Sequence, residues 1–81
     1  MIYFNRIEIN PRVMMGKPVV KGTRIPVYII LNLLAEGYTE RAIRKEYPDI
    51  TQADIAAVLR FAASMTQFEE TRGTLSSAKI Q

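Results

Sequence analysis

The stretch at residues 39–61, "TERAIRKEYPDITQADIAAVLRF", decides the fold, because it holds two helices that each begin at a capping residue. Thr39 precedes "ERAIRKEY" as an N-cap, with a hydroxyl able to accept a hydrogen bond from the first helical turn. Pro48 ends this helix, since the residue before a proline avoids the helical region. Thr51 then begins a longer helix with Asp54 three residues on, which is the acidic variant of a capping box.

The short turn between these helices predicts that they cross at a steep angle, as in helix-turn-helix units. Ile43 on the shorter helix is expected to contact Ile55 and Leu59 on the longer one. Upstream, residues 27–36 present a wide apolar helical face, and Gly37 follows where a left-handed C-cap belongs. The three helices together predict a tri-helical core.

The residues before the first helix predict a small β element. "RIEIN", residues 6–10, alternates polar and apolar side chains as a half-buried strand does. "PVV" and "RIPV" flank Lys21-Gly22-Thr23, where Gly22 supplies the positive φ of a tight reversal, so a hairpin is expected. The prediction is an α+β, mainly α domain with a winged-helix or homeodomain-like arrangement. It has a β-hairpin element in residues 1–26, three helices in 27–68 and a flexible polar tail in 69–81.

The charge of the chain is concentrated in this β element. The full sequence of 81 residues has a net charge of +3, yet residues 1–26 carry five basic side chains against Glu8, a local charge of +4. The helical residues 27–68 carry four basic and five acidic side chains. The amino-terminal segment is therefore the part that attracts a polyanion.

The composition argues against the common kinds of enzyme active site. The chain has no cysteine and no histidine, so it lacks thiolate ligands, the usual zinc ligands and the commonest general base near neutral pH. We expect a non-enzymatic protein with no metal and no cofactor.

No apolar run approaches the roughly 20 residues of a membrane span, and the amino terminus lacks the basic-then-apolar order of a secretory signal. A cytoplasmic location is therefore expected.

The longest helix is a candidate recognition helix for the major groove of DNA. Its base-reading side chains are Gln52 and Arg60, with Ala53 and Ala56 between them. Asp54 is expected to repel phosphate unless its carboxylate is used as the cap. The alternative is a purely structural or protein-binding role for this helix, because so few of its side chains read bases.

The basic hairpin has two interpretations that do not exclude each other. Lys17, Lys21 and Arg24 are expected to contact the phosphate backbone, which positions a protein without reading sequence. Alternatively, these charges protect an exposed strand edge from aggregation, and Arg24 forms an internal ion pair with Glu46 or Asp49.

The end of the third helix is more apolar than a single core requires. This helix is predicted to run to Met65 or Phe68, and Phe61, Met65 and Phe68 are candidates for a second interface. A homodimer is the simplest occupant of that interface, and a toxin or another protein is the second. A third interpretation is that the amino-terminal strands cover these side chains.

Beyond these local patterns, the chain resembles a known family over about residues 7–63. The resemblance is carried by "GKPVVKGTRIPVYIILNLLAEGYTERAIRKEYPDITQADIAAVLRFA", residues 16–62. Its distinctive parts are "GKP", "GTRIPV", "LAEG", Tyr47-Pro48 and Asp54-Ile55. These are similar to the small prokaryotic domain-of-unknown-function family four-thirty-three, whose members include VapB-type antitoxins.

The resemblance implies a helix-turn-helix protein that acts as the antitoxin of a type II toxin–antitoxin pair. Genes of this family often lie beside genes for small nuclease-like proteins of the PIN type. The implied partners are therefore a PIN-like ribonuclease toxin, which the protein neutralises by direct contact, and its own operator DNA. The rival hypothesis is a protein-interaction or dimerisation module that does not bind DNA.

Overall fold

The computed structural model of the protein describes residues 2–67. Its elements are β1 (Ile2–Phe4), β2 (Ile7–Ile9), a 3-10 turn (Met14–Gly16), β3 (Val19–Val20), α1 (Val27–Ala35), α2 (Glu40–Glu46) and α3 (Gln52–Met65). The predicted class, a mainly helical α+β fold with a β element before three helices, is confirmed. The predicted tail and Phe68 lie outside the described residues.

The β element is a three-stranded antiparallel sheet in the order β1-β2-β3. The predicted strand at residues 6–10 is present as β2, and β1 pairs with it so that Phe4 faces Ile7 across a two-residue turn. The predicted reversal after β3 is also present, with Gly22 at φ +83°. Its second arm is a single bridge between Val19 and Pro26 rather than a strand.

Two local constraints shorten that second arm. Pro26 has no N–H to donate to a ladder, and α1 begins at the next residue. The main-chain N–H of Val27 already donates to the Pro18 carbonyl at 2.9 Å. The hairpin of the fold is therefore β1–β2, whose first strand the sequence pattern did not predict.

The predicted helix boundaries are confirmed by their caps. The Thr39 hydroxyl accepts the N–H of Ala42 at 3.1 Å at the start of α2, and α2 ends directly before Tyr47. Gly37 has φ +96°, and the N–H groups of Gly37 and Tyr38 donate back into α1 at 3.0 Å. This is the Schellman arrangement, which satisfies the last carbonyls of a helix.

The core is formed by one apolar side from each part of the molecule. Its fully buried members include Ile7 of β2, Ile30 of α1, Ile43 of α2 and Ile55 of α3. The expected contact between the two helices of the helix-turn-helix through Ile43 and Ile55 is consistent with this core. No helix within residues 2–67 has the length and apolarity needed to span a bilayer.

The prediction that Leu59 joins this helix–helix contact is wrong, because its side chain is 48% exposed. Residues in an α-helix are rotated by about 100° from their neighbours. The buried stripe of α3 is centred on Asp54, Val58 and Phe61. Leu59 lies beyond Ile55 at the edge of that stripe and faces outward.

Candidate nucleic-acid interface

The outer surface of α3 carries the four residues predicted to enter a DNA groove. Gln52, Ala53 and Arg60 are exposed and Ala56 is half-buried. At about 100° per residue, these four positions fall within roughly 100° of the helix circumference. The exposed Leu59 borders the same face. This face is therefore continuous, mostly small and uncharged, with one cation towards its carboxyl-terminal half.

Asp54 is turned away from that face and is used as the helix cap. Its Oδ2 accepts the main-chain N–H of Thr51 at 2.9 Å, and its own N–H donates to the Thr51 hydroxyl at 3.1 Å. The predicted capping box is therefore present with both of its hydrogen bonds. Because Asp54 is also buried, its carboxylate does not lie on the outer face of α3.

The other carboxylate oxygen of Asp54 binds a residue that the sequence did not single out. Arg6 Nη1 donates to Asp54 Oδ1 at 3.2 Å across a sequence separation of 48 residues. The Arg6 side chain is 48% exposed. Its part in the basic β element was the only sequence signal for Arg6, because the pairing with Asp54 depends on how β1–β2 folds against α3.

The backbone of Arg6 is in the left-handed region, at φ +66°. For a residue with a side chain this conformation costs about 1–2 kcal/mol. An ion pair with a half-exposed guanidinium and one contact contributes roughly 1 kcal/mol or less. The ion pair and the backbone strain therefore nearly cancel, so the pair by itself gives little reason for an arginine at this turn.

Lys21 is held next to Arg6 by the main chain. The N–H of Lys21 donates to the carbonyl oxygen of Arg6 at 2.8 Å, so the turn after β3 lies against the β1–β2 turn. Asn5, Arg6, Lys21 and Asp54 line a shallow depression at this junction. The structure thus brings Lys21, which was predicted to contact the phosphate backbone of DNA, together with Arg6 at the start of α3.

A second depression continues from this junction along the flank of α3. Its lining residues are Asn5, Ala57, Arg60, Phe61 and Ser64. Asn5 lines both depressions, which therefore adjoin each other at the β1–β2 turn beside α3. We call the two adjoining depressions the flank groove; Lys21 lines the first, and Arg60 and Ser64 line the second.

The structure places Lys17 apart from Lys21, although both were expected to contact the phosphate backbone from one hairpin. Lys17 precedes β3 and Lys21 follows it, so the two lie at opposite ends of that strand. The Lys17 ammonium sits 5.1 Å from the centre of the Tyr28 ring at the start of α1. Arg24 is exposed, and within the described residues it forms no ion pair with Glu46 or Asp49, contrary to that alternative.

The residues predicted to form a second interface also differ in their environments. Phe61 is only 8% exposed and belongs to the chain's own core, so its ring is covered by the same chain rather than presented to a partner. Met65, one turn further on, is 66% exposed. Phe68 lies outside the described residues. Of this predicted set, Met65 is the side chain that is open to a partner.

A strained turn before β3 exposes a further apolar side chain. Met14, Met15 and Gly16 have consecutive positive φ angles of 50°, 56° and 85°. Met15 is 93% exposed. No sequence pattern indicates this left-handed turn, because two of its three residues are methionines, which rarely adopt the conformation.

Comparisons with known proteins agree with this architecture. The family model described as "Protein of unknown function (DUF433)" matches residues 7–62. The crystal structure of a DUF433 member protein from Anabaena variabilis ATCC 29413, at 2.00 Å resolution, superposes with a TM-score of 0.67 and 25% sequence identity. That match covers 95% of this chain and 70% of the other. No curated protein matches the chain.

Proposed function

We propose, from the premise that this chain belongs to the DUF433 family, that it is a non-enzymatic antitoxin with a DNA-binding helix-turn-helix. In this proposal it neutralises a PIN-like ribonuclease by direct contact and represses its own operon. The DNA-binding half is supported by the geometry of α3 and the β element. The toxin-binding half is supported by the resemblance of residues 7–63 to a family whose members include VapB-type antitoxins.

The observation that carries the proposal is the placement of Asp54. This residue is the only acidic side chain of α3, and it is buried under Arg6 and Thr51 instead of facing outward. The outer face consequently offers Gln52 and Arg60 without a neighbouring carboxylate on the same helix. Glutamine pairs with adenine and arginine with guanine in the major groove, and alanine accommodates the thymine methyl group.

Cations of the β element supply the contacts that position such a helix. Residues 1–26 have a net charge of +4, and Lys17, Lys21 and Arg24 are exposed. Contacts of this kind fix the register of a protein on the duplex without reading sequence. In this proposal, Lys21 and Arg24 contact the phosphate backbone of the DNA beside α3. Lys17 contacts the same phosphate backbone from the opposite end of β3.

Met65 is the proposed point of contact for a second protein chain. It lies on the same helical stripe as Asp54, Val58 and Phe61, beyond the point where the core covers that stripe. An exposed methionine at the end of an apolar stripe suits an adaptable protein interface. We assign this end of α3, with Phe68, to the homodimer, with the toxin as the alternative occupant.

The experiment that tests the proposal is binding of the purified protein to its own upstream duplex and to a scrambled duplex. Fluorescence anisotropy at several salt concentrations gives both affinities. Gln52→Ala and Arg60→Ala are expected to cost about 1–3 kcal/mol each on the upstream duplex, because a bidentate base contact is lost. Arg44→Ala, on the exposed surface of α2, is the matched control. Equal, weak binding to both duplexes would contradict the DNA-binding half.

One observation favours the rival, a protein-interaction module that does not bind DNA. Leu59 is 48% exposed, and it borders the alanines of the outer face of α3, which suits packing against another helix. Leu59→Lys tests this rival: it would abolish co-purification with a co-expressed PIN-like protein if the outer face of α3 binds that protein, and would leave co-purification intact if the contact lies at Met65. Lys21→Ala with Arg24→Ala gives the complementary test, because it lowers DNA affinity only if the β element contacts phosphate.

A further inference from the structure

We propose that Asn5, Arg6 and Lys21 form a clamp for one phosphodiester group of the nucleic-acid backbone, beside the amino-terminal end of α3. The inference rests on the proposed DNA binding and deepens it, because it names a contact site outside the recognition face. Asn5 and Arg6 precede the residues that the family model matches. Two of the three clamp residues therefore lie in this chain's β1–β2 turn, outside the matched region.

The clamp is preorganised by contacts from three separate parts of the chain. Lys21 is tied to Arg6 through the main-chain hydrogen bond of 2.8 Å. The Arg6 guanidinium is tied to Asp54 at 3.2 Å, and Asp54 is fixed by the capping box of α3. Because these contacts exist before any ligand binds, the Arg6 guanidinium and the main chain at Lys21 are already in position.

The Arg6 guanidinium has more N–H donors than its hydrogen bond to Asp54 uses. A guanidinium has five N–H donors in a planar fork, and among residues 2–67 the Arg6 side chain donates one hydrogen bond, to Asp54. The Asp54 carboxylate is already engaged at both oxygens. The depression is lined by two cations and one carboxylate, and both oxygens of that carboxylate are occupied within the chain. An arginine fork of this kind matches the oxygens of a phosphate.

The strained backbone of Arg6 supports a role for its side chain beyond the ion pair. A glycine would adopt φ +66° without the penalty, and the strain offsets the contribution of the partly exposed pair. Residues held in sparsely populated backbone regions cluster at binding sites, where the surrounding structure fixes them. The turn thus aims an arginine into the depression beside Lys21, at a position where a bare hairpin would carry glycine.

The flank groove gives the bound backbone a path along the helix. Asn5 lines both the clamp and the depression that contains Arg60 and Ser64. Arg60 lies six residues after Asp54, which is about 9 Å along α3. A nucleic-acid strand held at the clamp can therefore follow the groove towards Arg60, with the outer face of α3 directed at the bases.

The test compares the salt dependence of duplex binding for the full chain and for charge-removing variants. Arg6→Gln, Arg6→Lys and Lys21→Gln are measured with the upstream duplex between about 50 and 200 mM salt. Arg12→Gln is the matched control, because it removes the same charge from an exposed side chain of the same β element. Thermal denaturation verifies that each variant is folded. If Arg6→Gln does not fold, Lys21→Gln still tests the clamp, because it leaves the Arg6–Asp54 ion pair in place.

We expect Arg6→Gln and Lys21→Gln each to make the slope of log K against log salt less negative by about one. Both should weaken binding at low salt by roughly tenfold, and Arg12→Gln should leave the slope unchanged. Arg6→Lys should keep the slope but lose affinity, since it keeps the charge and loses the fork. If the clamp variants match the Arg12→Gln control, DNA binding stands and the clamp is overturned.

If the wild-type chain binds no duplex, the proposed DNA binding is contradicted. The clamp is then judged by titrating the full chain with tripolyphosphate and following backbone amide resonances by NMR. Shifts confined to Asn5, Arg6 and Lys21 would establish a phosphate site that serves a ligand other than DNA. Uniform or absent shifts would overturn the clamp as well.

Discussion

The buried carboxylate of Asp54 accepts hydrogen bonds from two separate parts of the chain. One oxygen accepts the Thr51 N–H and so caps α3, and the other accepts the Arg6 guanidinium and so attaches the β1–β2 turn. Together the two bonds satisfy both oxygens of a carboxylate that is buried on folding. A single residue therefore sets both the start of α3 and the position of the amino-terminal turn beside it.

Asp54→Ala is expected to destabilise the protein by roughly 1–3 kcal/mol, because it removes the cap of α3 and the acceptor of Arg6 together. Urea denaturation followed by circular dichroism measures the change. Asp49→Ala is the matched control; this carboxylate is exposed, so its loss should change stability by less than about 0.5 kcal/mol. Equal effects of the two substitutions would contradict the dual role of Asp54.

Met15 provides a second test at the scale of a residue. Its φ of 56° strains any residue with a Cβ, whereas its nearly full exposure means that the side chain contributes little packing. Met15→Gly should be more stable than Met15→Ala by about 0.5–1 kcal/mol, since relief of the left-handed strain exceeds the extra chain entropy of glycine. Thermal melts of the two variants decide this, and a less stable glycine variant would contradict the strained turn.

At the scale of the element, α3 has two unlike sides. Its inner side, with Ile55 and Val58 fully buried, packs on α1, α2 and β2. Its outer side carries small residues, Gln52 and Arg60. The helix therefore holds the core together with one side and remains free to bind a partner with the other, as a recognition helix must.

Ile55→Ala and Leu59→Ala distinguish these two sides. Ile55→Ala should cost about 2–5 kcal/mol, because it leaves a cavity in the core. Leu59→Ala should cost less than about 1 kcal/mol, since its side chain is half in solvent. Chemical denaturation of both variants provides the comparison. A Leu59→Ala loss as large as that of Ile55→Ala would indicate that the leucine is covered in solution, as in a tight dimer through the outer face.

At the scale of the whole molecule, the β element is attached to the helices rather than standing apart as a free wing. Ile7 of β2 and Val20 of β3 are buried in the same core as the three helices. The basic turns project from this anchored sheet at the amino-terminal end of α3. The basic amino-terminal segment and α3 therefore keep a fixed relative position.

Met65→Lys tests the proposed homodimer. A charge placed at the exposed end of the apolar stripe should weaken self-association at least tenfold, because an unpaired cation is buried in the interface. Sedimentation equilibrium measures the dimer dissociation constant. Gln67→Lys adds the same charge to an exposed side chain two residues away and should have a much smaller effect. A monomeric wild-type chain would contradict the homodimer.

The sequence by itself determined the helices and their boundaries. Thr39, Gly37 and the Thr51–Asp54 pair mark helix ends by contacts that reach no more than a few residues along the chain. Such contacts depend on local residue identity and spacing, so they can be predicted without knowing the path of the chain. The basic character of the amino-terminal segment and the family resemblance were likewise available from the residues.

Only the tertiary structure decided which side chains meet at the candidate site. Arg6 reaches Asp54 across 48 residues, and the direction of the β1–β2 turn that allows this depends on its packing against α3. The same packing buries Phe61 and leaves Leu59 exposed, although both are apolar residues on one helix. Periodicity predicts that a helix has an apolar side, but the neighbours that cover it fix where that side ends.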